Sequence, residues 1–361
     1  MKKLACILMV LAMCLSFAAC GQKLSEGSIH EGLCYEQTGI APDATVMVVD
    51  GVEVPMDMYL NCLFTSCMSL EEFVAQYGMS LDWEFVFSDG LSMKDLVVED
   101  AMANVQFYAQ IENLAQKNNI VLSEEDIAAI TADRESMIEE FGGQENYEAE
   151  LEKVSLREET YLRISRINYL YDALKELYMT EGSALYMTDE ALDQYAVEQG
   201  YMTADHILIE GVTEETKARA EEILEKLKSY SGDDLTAYFA ELADEYSEDP
   251  GRASNPTGYT FGDGEMVEEF ESAVKALQEG ELSDIVESDY GYHIILRKPL
   301  DTEPIMTSLR ELYFSNMLSV VDDDKVAMND ALKDIDVPAL YEAFIALQSA
   351  TDALPDITEE D

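Results

Sequence analysis

The sequence predicts an α+β fold in which a small antiparallel sheet with surrounding helices is inserted between two mainly helical segments. Apolar residues recur at helical spacing through most of the stretch up to residue 198, and again after Pro299. Between these segments, the block 199–300 opens and closes with a short apolar strand. The 361 residues allow two or three domains of ordinary size.

The first twenty residues have the composition of an export signal. Two lysines precede an apolar run from Leu4 to Phe17, which is too short for a bilayer span and is followed by small residues. We expect residues 1–19 to be removed. Phe17-Ala18-Ala19-Cys20 resembles a bacterial lipobox, which implies a diacylglyceryl and palmitate anchor on Cys20. The alternative is an ordinary secretory signal with an incidental cysteine.

The segment after the signal divides into a leader and a mainly helical part. Residues 20–43 lack sustained periodicity, so we expect a lipidated, flexible leader. The helical part is predicted for 44–198 and starts with strands at 46–49 and 52–54 around a tight turn. Pro55 then opens a long helix.

Further helices follow from periodicity and capping signals. Leu96 to Gln116 repeats apolar residues at helical spacing, and Asn118 is a plausible stop. Two capping boxes are predicted, Ser123 with Asp126 and Ser155 with Glu158. The second of these helices has one apolar face, formed by Ile164, Ile167, Tyr171, Leu174 and Tyr178.

Three cysteines remain beyond the signal and the predicted lipid site. An odd count allows one disulfide with a free thiol, or no disulfide. Cys62 and Cys67 are five residues apart on a predicted helix and point to different faces, so we favour packed thiols over a bridge. Cys34 is the third.

The inserted block contains strands and helices in alternation. The predicted elements are a strand at 206–209, helices at 214–230, 235–246 and 266–277, and a strand at 293–296. The rest of the chain, 301–361, returns to helix at 306–320 and 338–347. We expect it to pack on the N-terminal helical part and to end in an acidic tail.

Two of the three histidines, His206 and His293, stand at the starts of the two predicted strands. Strands that open and close a small domain are often neighbours in its sheet, so the two imidazoles can meet on one face. Asp249 lies between them in the sequence. Met266 and Phe270, at i and i+4 on a predicted helix, add apolar surface.

A series of motifs in this block resembles the parvulin peptidyl-prolyl isomerases. The matching segments are Asp205-His-Ile-Leu-Ile209, Phe239 to Asp249, Gly258-Tyr-Thr-Phe-Gly262, Met266-Val-Glu-Glu-Phe270 and Gly291-Tyr-His-Ile-Ile-Leu296. With the signal and the flanking helices, the layout resembles the PrsA-type extracytoplasmic foldases, and the start of the helical part is similar to SurA-like chaperones.

The resemblance implies a peptidyl-prolyl cis-trans isomerase with a defined site. His206, Asp249 and His293 correspond to the family's paired histidines and its central Cys/Asp position. The implied proline pocket consists of Met266, Phe270, Tyr259 and Phe261. The implied partners are unfolded or newly exported polypeptides, and the implied location is the outer face of the cell membrane, through the lipid on Cys20. No cofactor and no metal are expected.

The sequence also departs from the family's pattern. Pro256-Thr257-Gly258 replaces a glycine-rich turn, which suggests that Tyr259 stands in place of an aliphatic pocket residue. Tyr290 occupies a position where Ser or Thr often hydrogen-bonds the second histidine. A binding-only chaperone with a weak or inactive parvulin domain is therefore the alternative function. Dimerisation through the helical parts is left open.

Composition excludes other classes. Lys and Arg number 22 against 75 Asp and Glu, a net charge of −53, which repels a nucleic-acid backbone. The sequence contains neither the Gly-x-Ser-x-Gly pattern of many hydrolases nor a phosphate-binding glycine loop. An extracellular solute-binding lipoprotein would fit the signal but not the motif series.

Overall fold

The computed structural model describes residues 24–87, 90–319 and 321–351. The predicted signal, Cys20 and the acidic end of the tail lie outside the described residues. The chain divides into unit 1, which comprises residues up to 176 and from 315 on, and unit 2, residues 177–314. Helices combine with two small antiparallel sheets, which confirms the predicted α+β class.

Unit 1 is built around a three-stranded sheet. Its strands are β1 (Thr45–Val49), β2 (Val52–Pro55) and β7 (Val326–Met328), in the order β2-β1-β7. Asp50 and Gly51 connect β1 to β2 with φ of 45° and 90°, which is the left-handed backbone that a two-residue hairpin turn requires. The hairpin was predicted, whereas β7 was not.

The helices of unit 1 cover this sheet and each other. They are α1 (Gly32–Thr38), α2 (Met56–Gln76), α3 (Met93–Lys117), α4 (Glu124–Glu140), α5 (Gln144–Lys153), α6 (Glu158–Met179) and α12 (Val337–Thr351). Helix α12 packs on α2, where Phe344 stacks on Phe64 with ring centroids 4.1 Å apart. The capping box of Ser123 with Asp126 is present.

The second predicted capping box is wrong. Ser155 has φ +53° and ends α5 instead of starting α6, since the Leu156 backbone N–H donates to Leu151 O at 2.9 Å across the turn. The spacing of a serine and an acidic residue three positions later describes only the helix that follows. It cannot show that the serine ends the helix before it, which explains the error.

The leader is more ordered than its sequence suggests. Its described part contains α1, whose Cys34 is buried, and the Asp43 carboxylate accepts hydrogen bonds from the Ser28 backbone N–H and hydroxyl. Cys34, Cys62 and Cys67 are all free and buried, and for Cys62 and Cys67 this was favoured from their spacing. Burial raises the pKa of each thiol to about 12. These thiols are therefore packed and unreactive.

Unit 2 contains a four-stranded antiparallel sheet. Its strands are β3 (Met202–Glu210), β4 (Tyr259–Phe261), β5 (Val286–Ser288) and β6 (Gly291–Lys298), in the order β4-β3-β6-β5. Its helices are α7 (Asp189–Glu198), α8 (Glu214–Lys228), α9 (Leu235–Tyr246), α10 (Glu268–Ala276) and α11 (Met306–Ser319). Helices α8 and α9 cover one face of the sheet, and α10 covers the other.

The boundaries of unit 2 are wider than the predicted 199–300. Leu192 and Ala196 of α7 pack on Leu309 of α11. Arg310 is buried, lies over the Tyr186 ring and donates to Asp189 Oδ1 at 3.0 Å. Within the described residues, no helix is long and apolar enough to cross a membrane.

A buried ion pair joins two distant parts of unit 1. The Asp57 side chain has no exposed surface, and Arg157 donates to its carboxylate from Nε at 2.9 Å, from Nη2 at 3.2 Å and from its backbone N–H at 3.1 Å. The pair ties the start of α2 to the turn before α6. A buried carboxylate without its partner is strongly destabilising.

We therefore expect Arg157→Ala to lower the free energy of unfolding of unit 1 by about 3 kcal/mol, measured by urea denaturation with circular dichroism. Arg134→Ala is the matched control, because its partner Glu158 has a side chain 34% exposed. The control should cost about 0.5 kcal/mol. Equal losses for the two variants would contradict a special role for the buried pair.

Candidate active site

The pairing of β3 with β6 brings the two histidines together. In the antiparallel register His206 pairs with Ile295, and Leu208 pairs with His293. His206 and His293 are therefore diagonal neighbours on the same face of the sheet, the face that α10 covers. The intervening Ile207 and Ile294 point to the opposite face and pack under α8 and α9.

The two imidazoles are buried and in direct contact. His206 and His293 are 8% and 4% exposed, and their rings meet edge to edge in nearly one plane, with an interplanar angle of 12° and centroids 5.3 Å apart. His206 Nδ1 lies 3.1 Å from His293 Nδ1. The outer nitrogens also have partners, since His206 Nε2 is 3.1 Å from Asp249 Oδ2 and His293 Nε2 is 2.7 Å from Ser288 Oγ.

With both rings neutral, the donors and acceptors in the hydrogen-bonded series from Ser288 through the two histidines to Asp249 can be assigned in only one way. A carboxylate only accepts, so His206 carries its proton on Nε2 and accepts at Nδ1. His293 then donates from Nδ1, and its Nε2 accepts the Ser288 hydroxyl proton. These hydrogen bonds therefore fix opposite tautomers on the two rings and hold both ring planes in place.

Asp249 is the acceptor at one end of the chain. Its Oδ2 also accepts the Tyr259 hydroxyl at 2.6 Å, and its Oδ1 accepts the Gly251 backbone N–H at 3.0 Å. Burial raises the pKa of Asp249, but the hydrogen bonds from Tyr259, Gly251 and His206 outweigh it, so the net pKa is lowered. Burial and the adjacent carboxylate raise the pKa of Tyr259 to about 12.

An aromatic wall stands beside the imidazoles. The Phe270 ring meets His206 and His293 edge-on, with centroid distances of 5.2 and 5.7 Å. Phe270 and Phe261 are 3% and 1% exposed and their rings pack 5.8 Å apart, so both belong to the core behind the site. Met266 and Tyr259 are half-buried and pack against the same cluster.

The structure corrects the predicted position of Met266. Helix α10 begins at Glu268, so Met266 lies in the preceding loop, not one turn before Phe270 on a helix. Met266 still reaches the Phe270 cluster from there. Tyr259 also differs from an aliphatic wall residue, because its hydroxyl anchors Asp249 while its ring meets His206 at 5.6 Å.

Ser288 is a site residue that the sequence analysis missed. The expectation that Tyr290 removes the hydroxyl partner of His293 was wrong, because Ser288 supplies that hydroxyl from the end of β5. Tyr290 lies in the hairpin turn and is 63% exposed. The signal in the sequence was the two-residue turn between Ser288 and Gly291. A strand before such a turn folds back onto the strand that carries His293, as β5 does here.

Arg252 was also missed. Its guanidinium donates to Asp205 Oδ1 at 2.6 Å and to Asp244 Oδ1 at 2.9 Å, so it ties the loop after Asp249 to β3 and α9. Gly258 lets the same loop approach β3, since a Cβ there would lie 2.6 Å from Ala204 O at a φ of +96°. Among the described residues, no group of three metal-ligating side chains is placed to hold an ion.

Comparison with known proteins identifies the domain that contains these residues. Residues 206–298 match the family model of the PPIC-type PPIase domain, a rotamase. The foldase protein PrsA of Oceanobacillus iheyensis is 31% identical over 239 residues, which are 63% of this chain and 73% of the relative. The chain belongs to the PrsA foldase family.

Other members of the PrsA family match over shorter stretches. Foldase protein PrsA of a Geobacillus species is 42% identical over 146 residues, 39% of this chain and 48% of the relative, so the chain spans about half the length of that protein. A crystal structure of the peptidylprolyl isomerase PrsA from Bacillus cereus aligns with 22% identity over 78% of this chain and 94% of its own, with a TM-score of 0.27.

Burial lowers the pKa of His293 to about 4, and the nearby His206 acts in the same direction. An unfolded histidine titrates near 6.5, so between about pH 6.5 and pH 4 the unfolded chain binds a proton that the folded chain does not. We expect the contribution of His293 to the free energy of unfolding to be fully present above about pH 6.5 and to be lost as the pH falls from there to about 4. Proton–carbon NMR of the His293 ring measures its midpoint, and a midpoint near 6.5 would contradict this environment.

Proposed function

We propose that this chain catalyses cis/trans isomerisation of X-Pro peptide bonds in unfolded polypeptides. The observation that supports the proposal is the pair of hydrogen-bonded imidazoles held between Ser288 and Asp249, with Phe270 edge-on to both rings. Membership of the PrsA foldase family points to the same activity. The alternative of a weak or inactive parvulin domain rested on the Pro256-Thr257 turn and on Tyr290, and the contact of the Ser288 hydroxyl with His293 answers the second of these two departures.

The reaction requires no bond to be made or broken. The amide bond rotates over a barrier of about 18–20 kcal/mol, because rotation interrupts its resonance. The planar amide is the more dipolar state, so an apolar surface such as Met266 and Phe270 disfavours it relative to the twisted state. A site that binds the twisted amide more tightly than the planar one lowers the barrier by that difference.

The polar network would then act by orientation. Each imidazole is fixed at both nitrogens, so the rings form a rigid floor next to Phe270. Asp249 is a poor nucleophile in this setting, because Tyr259, His206 and Gly251 already donate to its two oxygens. We therefore assign His206, His293 and Asp249 a positioning and hydrogen-bonding role. The half-buried Met266 and Tyr259 would be the surface for the proline ring, with the buried Phe270 behind them.

The test is catalysis of cis/trans exchange in a proline-containing tetrapeptide by the chain from residue 21 on. We expect the wild type to accelerate exchange, and His206→Ala and Asp249→Asn each to lower kcat/KM by about tenfold or more, since each removes a fixed partner in the network. Tyr290→Ser is the control and should stay within about twofold of the wild type. Wild-type exchange no faster than in buffer would refute the isomerase activity.

The same proposal includes chaperone action and a location. The helical parts, 44–198 and 301–361, would hold unfolded chain, and the parvulin module, 199–300, would act on its prolines. The lipobox-like sequence at Cys20 supports attachment of the chain to the extracytoplasmic face of the cell membrane, where exported polypeptides emerge.

Membrane attachment has its own test. In bacterial cells the wild-type chain should incorporate labelled palmitate and sediment with membranes, because acyl chains supply the hydrophobic free energy of attachment. Cys20→Ala should abolish labelling and release the chain. Cys34→Ala is the matched control, since its thiol is buried, and it should leave labelling intact. Unlabelled wild-type protein would refute lipidation at Cys20.

A further inference from the structure

Unit 1 contains a cleft that the isomerase site does not use. Two cavities, of about 370 and about 680 Å³, lie along the beginning of α1 and one side of α5. Gly32, Leu33 and Glu152 line both cavities, so the two are adjacent, and we treat them as one cleft.

The floor of this cleft is aliphatic. Leu151 and Leu156 are buried within it, whereas Leu33 and Ile29 are half-buried and reachable from outside. The floor continues into the second cavity with Ala346 and Leu347 of α12. A surface of this kind gains free energy when it covers aliphatic side chains of a partner.

The rim of the cleft is acidic. Glu31, Glu148 and Glu152 line the first cavity, and Glu36 lines the second; all four residues are exposed. The basic side chains that line the cleft are already paired, Arg157 with Asp57 and Lys153 with Glu150. The cleft therefore presents unneutralised carboxylates above an apolar floor, which favours a partner that carries both aliphatic and cationic side chains.

We propose that this cleft binds extended segments of unfolded polypeptide in which aliphatic residues alternate with lysine or arginine. The proposal rests on the foldase function and specifies where unit 1 holds a client and which segments it selects. The chain's own end is disfavoured as the occupant, because residues 352–361 carry five acidic and no basic side chains.

The experiment measures fluorescence anisotropy of labelled, proline-free peptides with the chain from residue 21 on. We expect an alternating Leu-Lys peptide to bind at least about tenfold more tightly than a Leu-Glu or a Ser-Lys peptide. The double variant Glu31→Gln with Glu152→Gln should weaken Leu-Lys binding about fivefold, with a smaller effect at high salt. Ala149→Trp, which places a large side chain in the second cavity, should also weaken it.

The matched control neutralises two exposed carboxylates of α4 in the same unit, Glu139→Gln with Glu140→Gln, and should bind the Leu-Lys peptide like the wild type. Equal loss in the cleft and control variants, or equal affinity for Leu-Lys and Leu-Glu peptides, would overturn the proposal. Self-association in sedimentation velocity that the cleft variants abolish would also overturn it, since the occupant would then be a second copy of the chain.

The result is separable from that of the isomerase assay. The peptides contain no proline, and the cleft variants should catalyse tetrapeptide exchange at the wild-type rate. Isomerisation and suppression of client aggregation without Leu-Lys binding would refute the cleft alone. Peptide binding without isomerisation would refute the proposed enzyme activity and leave the cleft standing.

Discussion

The antiparallel pairing of β3 with β6 is the constraint on which the candidate site depends. The two strands are paired at eight successive positions, from Thr203 with Lys298 to Glu210 with Gly291. Because side chains alternate between faces, a slip of one residue in either strand would turn one imidazole away from the other. The isoleucines and leucine on the opposite face resist such a slip, since it would move them out of the core under α8 and α9.

This dependence explains which parts of the site could be predicted from the sequence. The short apolar runs after His206 and His293 predict the two strands, and closeness of the histidines follows if the strands are neighbours. The predicted starts were too late, because β3 begins at Met202 and β6 at Gly291. The tautomer arrangement needed atomic positions, because Ser288 and Tyr259 become partners of the network only through the β5–β6 hairpin and the turn before β4. Arg252 has no local signal, since its partners Asp205 and Asp244 come from two other elements.

The fold shows the same division between local and distant information. Helices with strong periodicity were predicted to within a few residues, as α3 and α9 illustrate. The predictions were wrong where a contact with a distant part of the chain decides the local conformation. Strand β7 is three residues long and forms because it pairs with β1. Ser155 belongs to the turn that ends α5, not to the start of α6. Segment 24–43 lacks periodicity yet folds against α5 and α12.

The three-stranded sheet of unit 1 also sets an order of assembly during synthesis. All strands of the unit 2 sheet lie within residues 202–298, whereas β1 gains its second neighbour only when Val326–Met328 has emerged. Until then a buried strand that is apolar at all positions but Thr45 retains one open edge, the kind of surface that recruits other chains into aggregates. A chain built this way exposes an aggregation-prone edge during its own synthesis, and its inserted module is complete before its flanking body.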